Sequence, residues 1–133
     1  MKRYFIDTCT LIWLLEGHKR VKNIIYDIEY YQGNFAVSVE VLKEFVNLLS
    51  AGKIKANIDY EQLIEKLNDS GIEICFFDKK HLKQLYKLPC FTEHKDQNDR
   101  NIIAHAIADN RILISADSQF SMYEEAGLKF LKI

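Results

Sequence analysis

Hydrophobic positions along the chain fall into two rhythms. Tyr4-Phe5-Ile6, Phe35-Ala36-Val37 and Ile112-Leu113-Ile114 are short unbroken apolar runs. Ile72-Glu73-Ile74-Cys75-Phe76 follows a glycine, and Leu128 to Ile133 alternates. These predict five strands, most of them continuously apolar, as strands buried on both faces must be. Between them the spacing becomes helical, over residues 11–16, 21–30, 39–50, 60–68, 79–87, 99–109 and 118–126. The segment 39–50 carries its apolar residues at 41, 42, 45, 46, 48 and 49, a single stripe. Strands alternating with helices predict a parallel sheet covered on both faces. Gly17, Gly33, Gly52, Gly71 and Gly127 punctuate the pattern where reversals and helix ends need a residue tolerant of positive φ.

Length adds that this is one domain, residues 1–133, with no low-complexity linker and no repeat. Hydrophobic residues at 48% and charged residues at 28% describe a globular chain with a core rather than a disordered one. Lys+Arg is 18 and Asp+Glu is 19, so no global basic field marks a nucleic-acid partner, although local basic surface remains open. No apolar run approaches the ~18 residues of a membrane span. The start, Met1-Lys2-Arg3 followed by Asp7, does not read as a signal peptide. Cys9, Cys75 and Cys90 are too few and too scattered for a disulfide framework. A cytoplasmic protein is expected. Cys90 and His94 form a lone C-x3-H, read as two unrelated loop residues because two ligands do not make a zinc site.

In parallel folds, ligands sit beyond the carboxyl ends of the strands. Asp7 follows the first strand and Asp117 the fourth. Asp99 opens the helix before the fourth strand, and Glu44 lies early in the helix after the second. Four carboxylates in one cleft repel one another and raise their pKa values. A hard divalent cation, Mg²⁺ or Mn²⁺, makes the arrangement sensible, because such ions take oxygen ligands. It would also acidify water and polarise a phosphoryl oxygen.

Each acid has a plainer reading. Asp7 and Asp117 also suit helix N-caps, where a short acceptor side chain meets unpaired N–H groups. Asp96 and Asp99 have the spacing of a capping box, with Asp96 as the cap and Asp99 kept for the metal. Asp78 has only a cap reading. Glu40 lies nearly opposite the 41/45/49 stripe, whereas Glu44 lies at its margin, so periodicity favours Glu44 for the cleft. Ser115 shares a strand face with Asp117 and is either a ligand-holding hydroxyl or a small strand-end residue. Arg100 either contacts phosphate or lies on the helix surface. The lysine groups at 19–22, 53–55 and 79–87 read as solvated faces, and Trp13 and the Tyr30-Tyr31 pair as core or interface packing.

Tyr4-Phe5-Ile6-Asp7-Thr8, Val37-Ser38 through Glu44, His94-Lys95-Asp96-Gln97-Asn98-Asp99-Arg100 and Ile114-Ser115-Ala116-Asp117-Ser118-Gln119-Phe120 together resemble the four motifs of PIN-domain nucleases, in order and over nearly the whole chain. By size the chain is most similar to the VapC-type toxins of bacterial toxin–antitoxin pairs. The resemblance implies a three-layer α/β/α sandwich with a central five-stranded parallel sheet. It implies a Mg²⁺- or Mn²⁺-dependent endoribonuclease whose acids are Asp7, Glu44, Asp99 and Asp117, with Asp96, Ser115 and Thr8 as candidate supporting residues. RNA is then the substrate, with a cognate antitoxin and a homodimer as the expected assemblies. Gln97-Asn98 stands where the family has Pro-Phe, which removes the residue that presets the helix start and leaves the role of Asp96 open. The alternative is a PIN-like domain that binds RNA or protein without cutting.

Overall fold

The computed structural model describes residues 2–23, 34–55 and 57–133. Five strands form one parallel sheet: β1 (Arg3–Ile6), β2 (Asn34–Ser38), β3 (Glu73–Cys75), β4 (Ile112–Ser115) and β5 (Lys129–Lys132). Their order is β3-β2-β1-β4-β5. The register places Phe5 beside Ala36 on one side and Leu113 on the other. Adjacent strand residues point to opposite faces. Phe5 and Ile6, Ala36 and Val37, and Leu113 and Ile114 are nevertheless all buried, so both sheet faces are covered. This is the α/β/α sandwich that the alternation of elements predicts.

Helical segments lie between the strands, among them α1 (Thr8–Glu16), α2 (Val39–Ser50), α3 (Tyr60–Asp69), α4 (Lys79–Lys87), α5 (Gln97–Ala108) and a 3₁₀ segment (Ser118–Ala126). Each begins on a short polar side chain that accepts a backbone N–H: Asp7, Ser38, Asp59, Asp78, Asp96 and Asp117, in order. Helix α1 starts three residues before the apolar periodicity does, because Asp7 caps it directly at the strand end. Gly17 ends it at φ 68°, a left-handed conformation that glycine adopts without steric cost.

Two strand expectations need correction. The predicted strands at 72–76 and 128–133 are shorter, and they are the two edges of the sheet. Burial on both faces therefore holds for β1, β2 and β4 but not for β3 or β5, where Glu73, Lys129 and Lys132 are exposed. Charges at such positions discourage pairing of the open edges with another chain. The segment 118–126 winds as a 3₁₀ helix rather than an α-helix. Residues 19–23 are helical, whereas the remainder of the helix predicted over 21–30, with Tyr30-Tyr31 and Gly33, lies outside the described residues. Among the described residues, no helix is long and apolar enough to cross a membrane.

Candidate active site

The strand order reverses its direction of growth at β1, with β2 and β4 on opposite sides of it. A crevice opens at such a switch point beyond the strand ends. Here it is a cavity of about 380 Å³ whose walls include Asp7, Thr8, Glu44, Asp99, Ser115 and Asp117. Cys9, Ala116 and Phe120 complete it, so no lysine or arginine lines it among the described residues. All four predicted acids and two of the three supporting residues therefore meet in one place. Asp96 does not line it.

The chain positions these carboxylates through the same hydrogen bonds that start its helices. Asp7 is buried, and its Oδ1 accepts the Thr10 N–H at 2.8 Å as the cap of α1. Its Oδ2 accepts the Ser115 hydroxyl at 2.6 Å. Ser115 Oγ in turn accepts the Asp117 N–H at 3.1 Å, so one hydroxyl ties the end of β1 to the end of β4. Asp117 caps the 3₁₀ segment through the Gln119 N–H at 2.9 Å. Cap and cleft readings thus coexist for both aspartates. The positive ends of α1 and the 3₁₀ segment lie against these acids and offset part of their repulsion.

Glu44 receives the Thr8 hydroxyl on Oε2 at 2.8 Å, which assigns Thr8 a definite role across 36 residues of chain. Glu40 instead pairs with Lys43 at 3.4 Å, as its place away from the stripe requires. Asp96 caps α5 by accepting the Asp99 N–H at 2.9 Å. The helix begins at Gln97 without the proline, because the aspartate cap supplies the start signal by itself.

The Asp99 carboxylate does not close a capping box. It turns into the cavity and meets His94 Nε2 at 3.1 Å. Nδ1 of the same ring lies 2.7 Å from the Tyr123 hydroxyl. His94 and Tyr123 are both buried, and their rings meet edge-on. With Asp99 ionised, His94 Nε2–H donates to it and Nδ1 accepts from the Tyr123 O–H. A buried ring nitrogen of His94 thus holds one acid of the cavity, with no bond to Cys90. Its position five residues before Asp99 offered a sequence signal. Tyr123, 29 residues further on, offered none.

Burial pushes the Asp99 carboxyl up to about 6, helped by the charges of Asp96 and Asp117 and opposed by His94. Ligand atoms of His94, Asp99 and Asp117 all lie within 4.8 Å of one another. No comparably tight trio includes Asp7 or Glu44 among the described residues, although both line the same cavity. The Cys9 thiol is pushed above its usual value by burial and by Asp7, which keeps it protonated and a poor nucleophile. Arg100 donates to the carbonyls of Pro89 and Leu88 at 2.6 and 3.5 Å and holds that loop instead of facing the acids. Trp13 stacks on His18 at 5.1 Å, with the Arg20 guanidinium 5.3 Å from its ring centre.

A family model described as PIN domain matches residues 4–126. Among solved structures, the chain resembles VapBC2 from Rickettsia felis bound to a DNA fragment from its promoter. That match has 23% identity, a TM-score of 0.75 and coverage of 98% of each chain. VapBC-1 from nontypeable Haemophilus influenzae matches at 16% identity and TM-score 0.70, over 98% of this chain and 97% of that one. DNA-bound VapBC from Salmonella typhimurium matches at 15% identity and TM-score 0.68, over 99% and 98%. The chain has no significant match among curated proteins.

Proposed function

The chain belongs to the PIN domain family, and on that premise we propose that it is a metal-dependent endoribonuclease, the toxin of a VapBC-type toxin–antitoxin pair. The observation that carries this reading is the cavity itself: four carboxylates, two hydroxyls and, among the described residues, no cationic side chain to neutralise them. Like-charged acids so arranged are poised for a divalent cation. The all-oxygen donor set fits Mg²⁺ or Mn²⁺ and does not favour zinc. A cation held there would acidify water and polarise a phosphoryl oxygen, the chemistry of phosphodiester hydrolysis.

The chain's own residues then divide the task. Asp7, Glu44, Asp99 and Asp117 would hold the cation. Ser115 fixes one oxygen of Asp7, and Thr8 fixes one oxygen of Glu44. His94 holds Asp99 in place, and Tyr123 sets the tautomer of His94. Asp96 acts on the site only through the start of α5 and its charge beside Asp99.

The resemblance to VapBC structures supports a cognate antitoxin as partner; RNA as the substrate and a homodimer belong to the same proposal. Three cysteines without a disulfide fit a reducing cytoplasm, and residues 1–133 act as one nuclease domain. The test is incubation of total cellular RNA with the protein and Mg²⁺, Mn²⁺ or EDTA. Discrete fragments that disappear with EDTA are expected. RNA left intact with every metal would overturn the reading.

A further inference from the structure

Glu44 has a second aspect. It also lines a neighbouring groove of about 460 Å³, together with Glu40, Lys43, Asn47, Lys53 and Asn98. The acid cavity and this groove therefore meet at Glu44. The groove's chemistry differs from that of the acid cavity. Lys43 is paired with Glu40, which leaves Lys53 at the exposed rim. The side-chain amides of Asn47 and Asn98 have no hydrogen-bond partner among the described residues. Leu48 and Ala51 supply apolar surface.

Asn98 is one of the two residues that stand where the PIN pattern has Pro-Phe, so this amide departs from that pattern. Its two lysines are matched by Glu40 and Glu44, so the groove carries no net positive charge to hold a bare phosphate. An uncharged ring fits it better, presenting amino groups to the carboxylates and mixed donor and acceptor edges to the amides. Each amide offers one acceptor and two donors, the set that reads base edges. Single-stranded RNA exposes such edges.

We propose that this groove is a base-reading subsite: it takes a nucleobase bearing an exocyclic amino group, from the nucleotide next to the scissile phosphate, read by Asn98 and Asn47 while Lys53 contacts the backbone. This subsite rests on the nuclease reading, and its test separates the two. Cut sites in total RNA are mapped by end sequencing for wild type, Asn98→Ala, Asn47→Ala, Lys53→Ala and Lys55→Ala. Binding of uncleaved RNA hexamers of varied sequence is measured alongside by fluorescence anisotropy in EDTA.

Wild type is expected to prefer one amino-bearing base beside the cut and in the hexamers. Asn98→Ala or Asn47→Ala relaxes that preference roughly fivefold or more, the scale of one lost two-point base contact. Lys53→Ala weakens binding to all sequences alike and lowers the salt dependence by about one phosphate contact, a slope change of roughly 0.7 for single strands. Lys55→Ala, outside the groove, changes neither. Unaltered base preference in both asparagine variants overturns the subsite. Should wild type not cut, the hexamer series still decides: preference lost in the variants upholds the subsite while the nuclease reading falls.

Discussion

Two clusters of histidine and aspartate in this molecule have similar composition and opposite electrostatics. One is His94, Asp99 and Asp117 in the cleft; the other is His81, His105 and Asp109, where α4 packs on α5. In the second cluster Asp109 Oδ1 receives Lys80 Nζ at 2.8 Å and His81 Nε2 at 2.9 Å. Its backbone carbonyl accepts Arg3 at 3.3 Å. His81 Nδ1 accepts the Asp78 N–H at 2.9 Å and closes the capping box of α4, so its proton sits on Nε2, facing the carboxylate. A ring so committed has no lone pair for a metal. His105 Nε2 lies 3.2 Å from Asp109 Oδ2, outside hydrogen-bond geometry, and neither ring nitrogen has a hydrogen-bond partner among the described residues.

Burial favours the neutral form of Asp109, but hydrogen bonds from Lys80 and His81 prevail and hold it below its usual range. Asp99 shows the reverse outcome, since burial and two neighbouring acids outweigh its single histidine. A carboxylate that already receives a lysine and a histidine N–H is satisfied and serves the fold. A carboxylate set among carboxylates has room for a cation from outside, and it is the one we propose to be functional.

The comparison can be broken by removing one acid from each side. Asp99→Asn should lower RNA cleavage by about two orders of magnitude or more, the scale of losing one electrostatic contact made in the transition state. It should not lower the melting temperature of the metal-free protein, because it relieves repulsion. Next in size, His94→Ala or Tyr123→Phe should weaken Mn²⁺ binding about 10- to 100-fold, as loss of a residue that orients a ligand does. Calorimetric titration measures this, and an unchanged affinity in both variants would remove His94 from the site. Asp109→Ala should instead cost the fold about 2 kcal/mol, read by urea denaturation, and leave Mn²⁺ affinity unchanged. A large loss of Mn²⁺ binding in this variant would make the two clusters equivalent.

The smallest effect is a pair of opposed pH slopes. Asp99 is raised to about 6 in the fold, so the folded state holds its proton longer than the unfolded one. Its contribution is present at pH 4 and is lost as pH rises through 6. His105 is lowered to about 4, chiefly by burial and then by His81, so it folds neutral. Its contribution is present above 6.5 and is lost as pH falls toward 4. Between pH 4 and 6.5 the two oppose each other in the metal-free protein. Urea midpoints of Asp99→Asn should therefore rise more steeply with pH than those of wild type, and those of His105→Phe should fall. Parallel curves for all three would contradict both assignments.

Much of this was legible in the residues. The central strands announce themselves because burial on both faces demands unbroken apolar runs. Helix α2 reads directly, since its 41/42/45 stripe is the buried one, and the same periodicity separates Glu44 from Glu40. The edge strands were read too long because a half-exposed edge needs only a weak apolar signal. Asp7, Asp99 and Asp117 were readable through their places at strand and helix ends. The links between distant segments were not: Thr8 to Glu44, Ser115 to Asp7 and Tyr123 to His94 span 36, 108 and 29 residues. No local pattern encodes such pairings; the sheet order creates them. The second cluster was missed for the same reason, as His81 and Asp109 meet only when α4 packs on α5.

The most direct test is a Mn²⁺ titration followed by electron paramagnetic resonance, on wild type, the Asp99→Asn/Asp117→Asn double variant and His105→Phe. The free Mn²⁺ signal should be quenched by wild type and His105→Phe and persist with the double variant. Binding that survives loss of both cleft acids, or that disappears with His105→Phe, would contradict the assignment of the cleft as the metal site.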